Sequence, residues 1–137
     1  MNMNQAKTIT VAFDGGTPCN NPRNYGNGYG SFAFNDKKPW RVAFGEPMSC
    51  NAAEVMTLVV ALRIIILVEH NSHNVSLVIT GDSRIALGRC RKSNVPSAKT
   101  SSAYADACGE LAILCQQFRS IKTQWRPRGQ SVTQFGH

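Results

Sequence analysis

At 137 residues, 42% apolar and 17% charged, the chain fits one globular domain with a real core and falls outside the disordered and fibrous classes. Residues 1–7 are polar and lack the apolar stretch of a secretory signal, and the longest apolar run, 55–68, is too short to span a bilayer and is broken by Arg63. Fifteen Lys and Arg against eight Asp and Glu leave a net charge of +7, which favours a polyanionic partner such as nucleic acid.

Taken in chain order, residues 1–6 are expected to be flexible, and 8–14 are rich in Ile, Val and Phe and predict a strand. That strand ends on Asp14, and Gly15 and Gly16 are expected to break it. Residues 17–28 are dense in Gly, Pro and Asn and predict a loop. Two further strands, 29–35 and 40–44, are joined by a polar connection, so the first three strands read as an antiparallel meander. Residues 51–69 are too long for a strand and apolar nearly all round, which predicts a helix packed on several sides.

After a turn at 71–74, a fourth strand is expected at 75–80, followed by Gly81-Asp82-Ser83. A short helix from Ser83 to about Arg91 has Ser83 as a possible N-cap. A basic loop then leads to a second long helix, capped by Ser101 or Ser102 and running to about Phe118. A fifth strand at 121–125 is stopped by Pro127, and 128–137 is a tail of uncertain order. Trp40 and Trp125 are expected in the core. The predicted fold class is a single mixed α/β domain over 1–137, with a five-stranded mixed sheet and helices on its faces. Five cysteines with no Cys-x-x-Cys pair suit reduced thiols in a cytoplasmic protein.

Three carboxylates stand in segments otherwise built for burial. Asp14 ends the first strand, Glu54 lies on the first turn of the apolar helix, and Asp82 follows the fourth strand. Each has an ordinary structural role available: a turn acceptor, a partner of the helix dipole, or a cap. If the first and fourth strands are neighbours, however, Asp14 and Asp82 meet at their C-terminal ends, and a helix crossing the sheet can aim Glu54 between them. Converging carboxylates repel unless a cation neutralises them, and such hard oxygen ligands suit Mg²⁺ or Mn²⁺. In a basic protein, that combination points to phosphodiester chemistry.

"VAFDGGTPCNNPRNYGNGYGSFAF", "NAAEVMTLVVAL" and "LVITGDSRIAL" resemble, in order and spacing, the three acidic motifs of type 1 ribonuclease H, and the likeness runs from about residue 7 to 126. The resemblance implies the ribonuclease H-like fold, with Asp14, Glu54 and Asp82 as catalytic, metal-binding carboxylates. It implies hydrolysis of the RNA strand of an RNA–DNA hybrid to 5′-phosphate and 3′-hydroxyl ends, with two Mg²⁺ ions per site when substrate is bound, Mn²⁺ being an alternative. Substrate contacts would come from Gly15, Asn21, Asn51 and Ser83, with Arg84 and Arg128 as further candidates. The partner would be the hybrid, with no membrane and no obligate protein partner, and the protein a monomer.

The chain departs from this pattern in three places: Arg84 stands where a glutamine often follows the Asp-Ser pair, the basic helix-loop extension of some relatives is missing, and the C-terminal acid is absent. The family commonly has a fourth carboxylate after the fifth strand, and no Asp or Glu follows Glu110 here. Matching the compact family tail puts Phe135 at that place, whereas the longer tail puts it beyond His137. Gln134 or His137 would be the substitute, and His137 is preferred because imidazole can bind a divalent metal or shuttle a proton. Two other readings stay open: a catalytically weakened hybrid-binding module, or another nuclease, resolvase or transposase of the same fold.

Overall fold

The computed structural model describes residues 6–91 and 102–136. Strand β1 (Lys7–Gly16) is buried on both faces over its middle, from Val11 to Asp14. Ile9, Val11 and Phe13 join the main core, while Ala12 turns to the opposite face beside Ala33 and Phe135. β1 does not stop at Asp14, as expected. It runs on through Gly15 and Gly16, which pair with Gly30 and Tyr29 of β2 (Asn27–Phe34). Glycine tolerates extended backbone, and the antiparallel ladder satisfies its polar groups, so the pair extends the strand.

β2 continues antiparallel to β3 (Trp40–Pro47) through a tight turn in which Asn35 and Asp36 take positive φ of 52° and 60°. Asn and Asp adopt this left-handed conformation more readily than most residues, and two in succession match the twist of a hairpin. The Asn35 side chain then locks the turn to β1, its Oδ1 accepting from Thr10 N–H at 2.8 Å.

Helix α1 (Cys50–Val68) starts one residue earlier than predicted, because the Ser49 side chain caps it by accepting from Ala52 N–H. Glu54 therefore lies at the fifth helical position, one residue deeper than expected and just past the first turn. By length and composition α1 could cross a bilayer, yet half of its apolar window is buried inside this domain. Ala53, Val55, Leu58, Ala61 and Leu62 are fully enclosed by the sheet and by α3.

A single turn of 3-10 helix at Ser72–Asn74 leads into β4 (Val75–Gly81), which runs parallel to β1. α2 (Arg84–Arg89) follows, with Ser83 as its N-cap, as predicted. α3 (Ser102–Cys115) packs on α1, where Arg63 and Glu110 form an ion pair. The predicted cap at Ser101 and the basic loop lie outside the described residues. β5 (Ser120–Trp125) is parallel to β4 and completes a five-stranded sheet in the order β3-β2-β1-β4-β5. The mixed sheet, its antiparallel first half and the neighbouring first and fourth strands all agree with the expectation.

The tail forms a helix, α4 (Arg128–Phe135), closed by Gly136 at φ 81°. It covers the sheet face away from α1, where Phe135, 1% exposed, rests on Ala12 and Ala33. Arg41 of β3 donates to the Phe135 carbonyl at 2.8 Å and so holds the helix end. Neither tryptophan is in the core: Trp40 is 53% and Trp125 46% exposed. Both sit on the sheet's two edge strands, where one flank of the ring has no neighbouring strand to cover it. The cysteines are free, and Cys90, Cys108 and Cys115 are buried as small apolar side chains.

Candidate active site

Parallel pairing of β1 with β4 brings the C-terminal ends of these strands together, the usual place for a site in such sheets. Asp14, 5% exposed, lies there near the end of β1, its Oδ1 accepting from the Gly15 N–H at 3.0 Å. Asp82 follows β4. Glu54 comes from α1, and what holds α1 so close is Gly15. A Cβ at that position would lie 2.8 Å from the Ala53 carbonyl carbon and from the Glu54 backbone. The sequence suggested that this glycine makes room for a nucleic-acid backbone, but within the chain it makes room for the helix carrying Glu54.

The carboxyl of Glu54 is pushed up to about 7 from an ordinary 4.5, first by burial and then by the charges of Asp82 and Asp14. A hydrogen bond with Ser83 and the Arg128 charge act in the opposite direction without cancelling this. Its Oε2 is buried with no hydrogen-bond partner. Three acidic groups thus share one region, and one of them has an orphaned oxygen. Among the described residues no three His, Cys, Asp or Glu side chains are gathered tightly enough to form a ready metal cluster. The donor set nonetheless fits a hard divalent cation in kind, because all three are oxygen ligands and Glu54 Oε2 lacks the donor that a buried acceptor requires.

Glu54, Asp82, Ser83, Arg84, Ile85, Trp125 and Arg128 line one concavity of about 450 Å³. The Arg84 guanidinium lies 4.3 Å from the centre of the Trp125 ring, and the indole N–H donates to the Asp82 carbonyl at 3.0 Å. Arg84 is therefore braced over the site by a cation–π contact. Trp125, read from sequence as a core residue, is a wall of this cleft. Its cue was its place at the end of a strand beside the acidic turn.

Two of the proposed contact residues stand apart from this cleft. Asn21 folds back on its own loop, its Oδ1 accepting from Arg23 N–H at 3.0 Å. Asn51 lines a neighbouring hollow of about 400 Å³ with Tyr25, Met56 and Tyr104. The asparagine joining that loop to α1 is Asn20, which accepts from Cys50 N–H at 3.0 Å. His137 lies outside the described residues. Phe135, matched to the missing acid, is buried under the Arg126 guanidinium, which is 5.5 Å from its ring centre. Gln134 Oε1, the other candidate substitute, is buried with no hydrogen-bond partner.

No family model and no curated protein sequence matches the chain. Solved structures do. RNase H1 from the halophilic archaeon Halobacterium salinarum superposes with a TM-score of 0.70 at 16% identity, over 90% of this chain and 88% of that one. The N-terminal RNase H domain of a Mycobacterium tuberculosis protein, solved as a maltose-binding-protein fusion, gives 0.72 at 17% identity, over 94% and 88%. LC11-RNase H1 in complex with an RNA/DNA hybrid gives 0.72 at 14% identity, over 92% and 90%. The chain has the type 1 ribonuclease H-like fold.

Proposed function

We propose that the protein is a divalent-metal-dependent endonuclease that cleaves the RNA strand of RNA–DNA hybrids. The observation that carries this is that the charges of Asp14 and Asp82 both act on Glu54 where two parallel strands end, with Glu54 and Asp82 lining a cleft beside Arg84 and Arg128. Further support comes from the shared fold with RNase H1 proteins, one of them solved with a hybrid.

In this reading Asp14, Glu54 and Asp82 would hold the metal, and Gln134 of α4, whose buried Oε1 has no hydrogen-bond partner, would be the neutral substitute for the missing acid. Mg²⁺ or Mn²⁺ ions, two with substrate bound, supply the Lewis acidity that activates water and stabilises the leaving oxygen. Arg84, fixed on Trp125, and Arg128 draw the phosphate backbone into the cleft by charge. Ser83 orients the Glu54 carboxyl while capping α2. Products would carry 5′-phosphate and 3′-hydroxyl ends. Free cysteines are consistent with the cytoplasmic setting inferred for it.

The test is incubation of labelled hybrid with the protein and Mg²⁺ or Mn²⁺, with Asp14→Asn as control. RNA-strand cleavage lost in the control is expected, and no cleavage under either metal overturns the enzyme reading. The second reading, a hybrid-binding module with weakened chemistry, is favoured by Phe135 standing buried where the family's acid is matched. It predicts tight hybrid binding without turnover.

A further inference from the structure

The sheet register sets up a row of charges that the carboxylate site alone does not explain. Asp14 pairs with Ser31, and Ser31 with Arg41. On the other side Ala12 pairs with Thr80 and Thr80 with Gln124. Two residues further along each of these strands stand Asp14, Asp82 and Arg126. Strand pairing itself ends just short of them, at Gly81 with Trp125, and its last bond, from the Arg126 N–H to the Gly81 carbonyl at 2.9 Å, seats Arg126 beside the end of β4. Asp14, Asp82 and Arg126 thus stand at the neighbouring C-terminal ends of β1, β4 and β5, with Ser31 and Arg41 paired on the other side of Asp14.

The two arginines are held differently. Arg41 spends a donor on the Phe135 carbonyl. Arg126 lies over the Phe135 ring, and its Nε and Nη2 are buried with no hydrogen-bond partner. A guanidinium enclosed in this way is costly unless compensating charge is near. Burial acts against its charge, and Asp14, Asp82 and, more weakly, Asp36 act for it. The Phe135 ring centre lies 5.5 Å from the guanidinium carbon on one side, and Asp14 and Asp82 are the charges that favour the cation.

We propose that Arg126 is a built-in counter-cation for Asp14 and Asp82, competing with divalent metal for that pair and lowering the metal affinity of the site. The inference rests on reading Asp14, Glu54 and Asp82 as metal-binding carboxylates. Arg126 is a positioning residue: it sets the charge the metal meets and touches no reacting atom. In place of the family's fourth acid, which would add negative charge, this chain has an apolar ring that holds a positive one.

The test is isothermal titration of Mn²⁺ into the metal-free full chain, its Arg126→Gln and Arg126→Lys variants, and Asp14→Asn as the site control. Removing a positive charge that Asp14 and Asp82 favour is expected to tighten Mn²⁺ binding about tenfold in Arg126→Gln, at an effective dielectric near 20. Arg126→Lys keeps the charge and should stay within about twofold of the parent on the same argument. The metal-free Arg126→Gln chain should also melt earlier and regain more on adding Mn²⁺ than the parent does. If the parent binds and Arg126→Gln binds no tighter, the inference falls while the metal reading survives. Binding by Arg126→Gln alone supports the inference, and binding by neither overturns both. Should Arg126→Gln fail to fold without metal, rescue by Mn²⁺ supports the competition. If it stays unfolded with Mn²⁺, Arg126→Lys decides, and a clear rise in its affinity overturns the inference.

Discussion

Glu54 concentrates the residue-scale tension of this protein. Its folded carboxyl at about 7 lies above the ordinary 4.5, so between those pH values the folded chain holds a proton that the unfolded chain has lost. Stability from this group is therefore full below about pH 4.5 and is lost as pH rises through 7. Glu54→Gln, with metal chelated, should raise stability at pH 8 by roughly 1–3 kcal/mol and leave it nearly unchanged at pH 4. Thermal unfolding across that range checks it, and a variant less stable than the parent at pH 8 contradicts it. Gly15 carries the complementary constraint. With α1 backbone 2.8 Å from the place of a Cβ, Gly15→Ala must push the helix and Glu54 away. An overpacking loss of about 1–3 kcal/mol is expected in urea titration, together with a large loss of metal-dependent hybrid cleavage.

At the scale of elements, α4 is the piece whose role is least obvious from its composition. It has eight residues, too few to be stable alone, so its helicity depends on docking. Phe135 supplies that docking against Ala12 and Ala33, and Arg41 ties down its last turn. Phe135→Ala should cost about 3–5 kcal/mol by a shifted urea midpoint, because a buried ring is removed from between two small side chains. Val132, 44% exposed on the same helix, should tolerate Ala within about 0.5 kcal/mol. Equal effects at the two positions would contradict this account of how α4 is held. The same helix sets the site's back wall, since the ring that docks it also seats Arg126.

For the molecule as a whole, the chain carries a net charge of +7, and basic side chains stand at both ends of the sheet. Arg84 and Arg128 border the acidic cleft, whereas Lys7, Lys37 and Lys38 surround a hollow at the far end, near the close of α1. A hybrid bound at the cleft would release counterions from the phosphates it presents to the arginines. Binding of hybrid to the Asp14→Asn chain should weaken steeply with salt, the log–log slope being about −2 or steeper if two or more phosphates are neutralised. Fluorescence anisotropy between 50 and 200 mM salt, a range of about fourfold, measures this slope. A slope near zero would remove the electrostatic part of the proposed recognition.

Local signals in the sequence determined most of the elements. Alternating Ile, Val and Phe marked β1, the long apolar run marked α1, and Ser83 announced α2, because periodicity and capping are properties of neighbouring residues. The three acids were legible for a related reason: a carboxylate inside an apolar segment stands out without any knowledge of contacts. The order of motifs was enough to anticipate the mixed sheet. Other features depended on which strand lies beside which. β1 ran through Gly15 and Gly16 because a partner strand was there to pair with them. Trp40 and Trp125 were left half open because β3 and β5 are edges. α4 was missed although Pro127 before it and Gly136 after it are helix start and stop signals, since its apolar content is too slight to show a face. Arg126 carried no local cue at all. Its meaning comes from the parallel register of β1, β4 and β5, which leaves it at the same end of the sheet as Asp14 and Asp82. Charges more than forty residues apart in the chain interact only once the sheet has brought them together, so tertiary structure alone decided what this arginine faces.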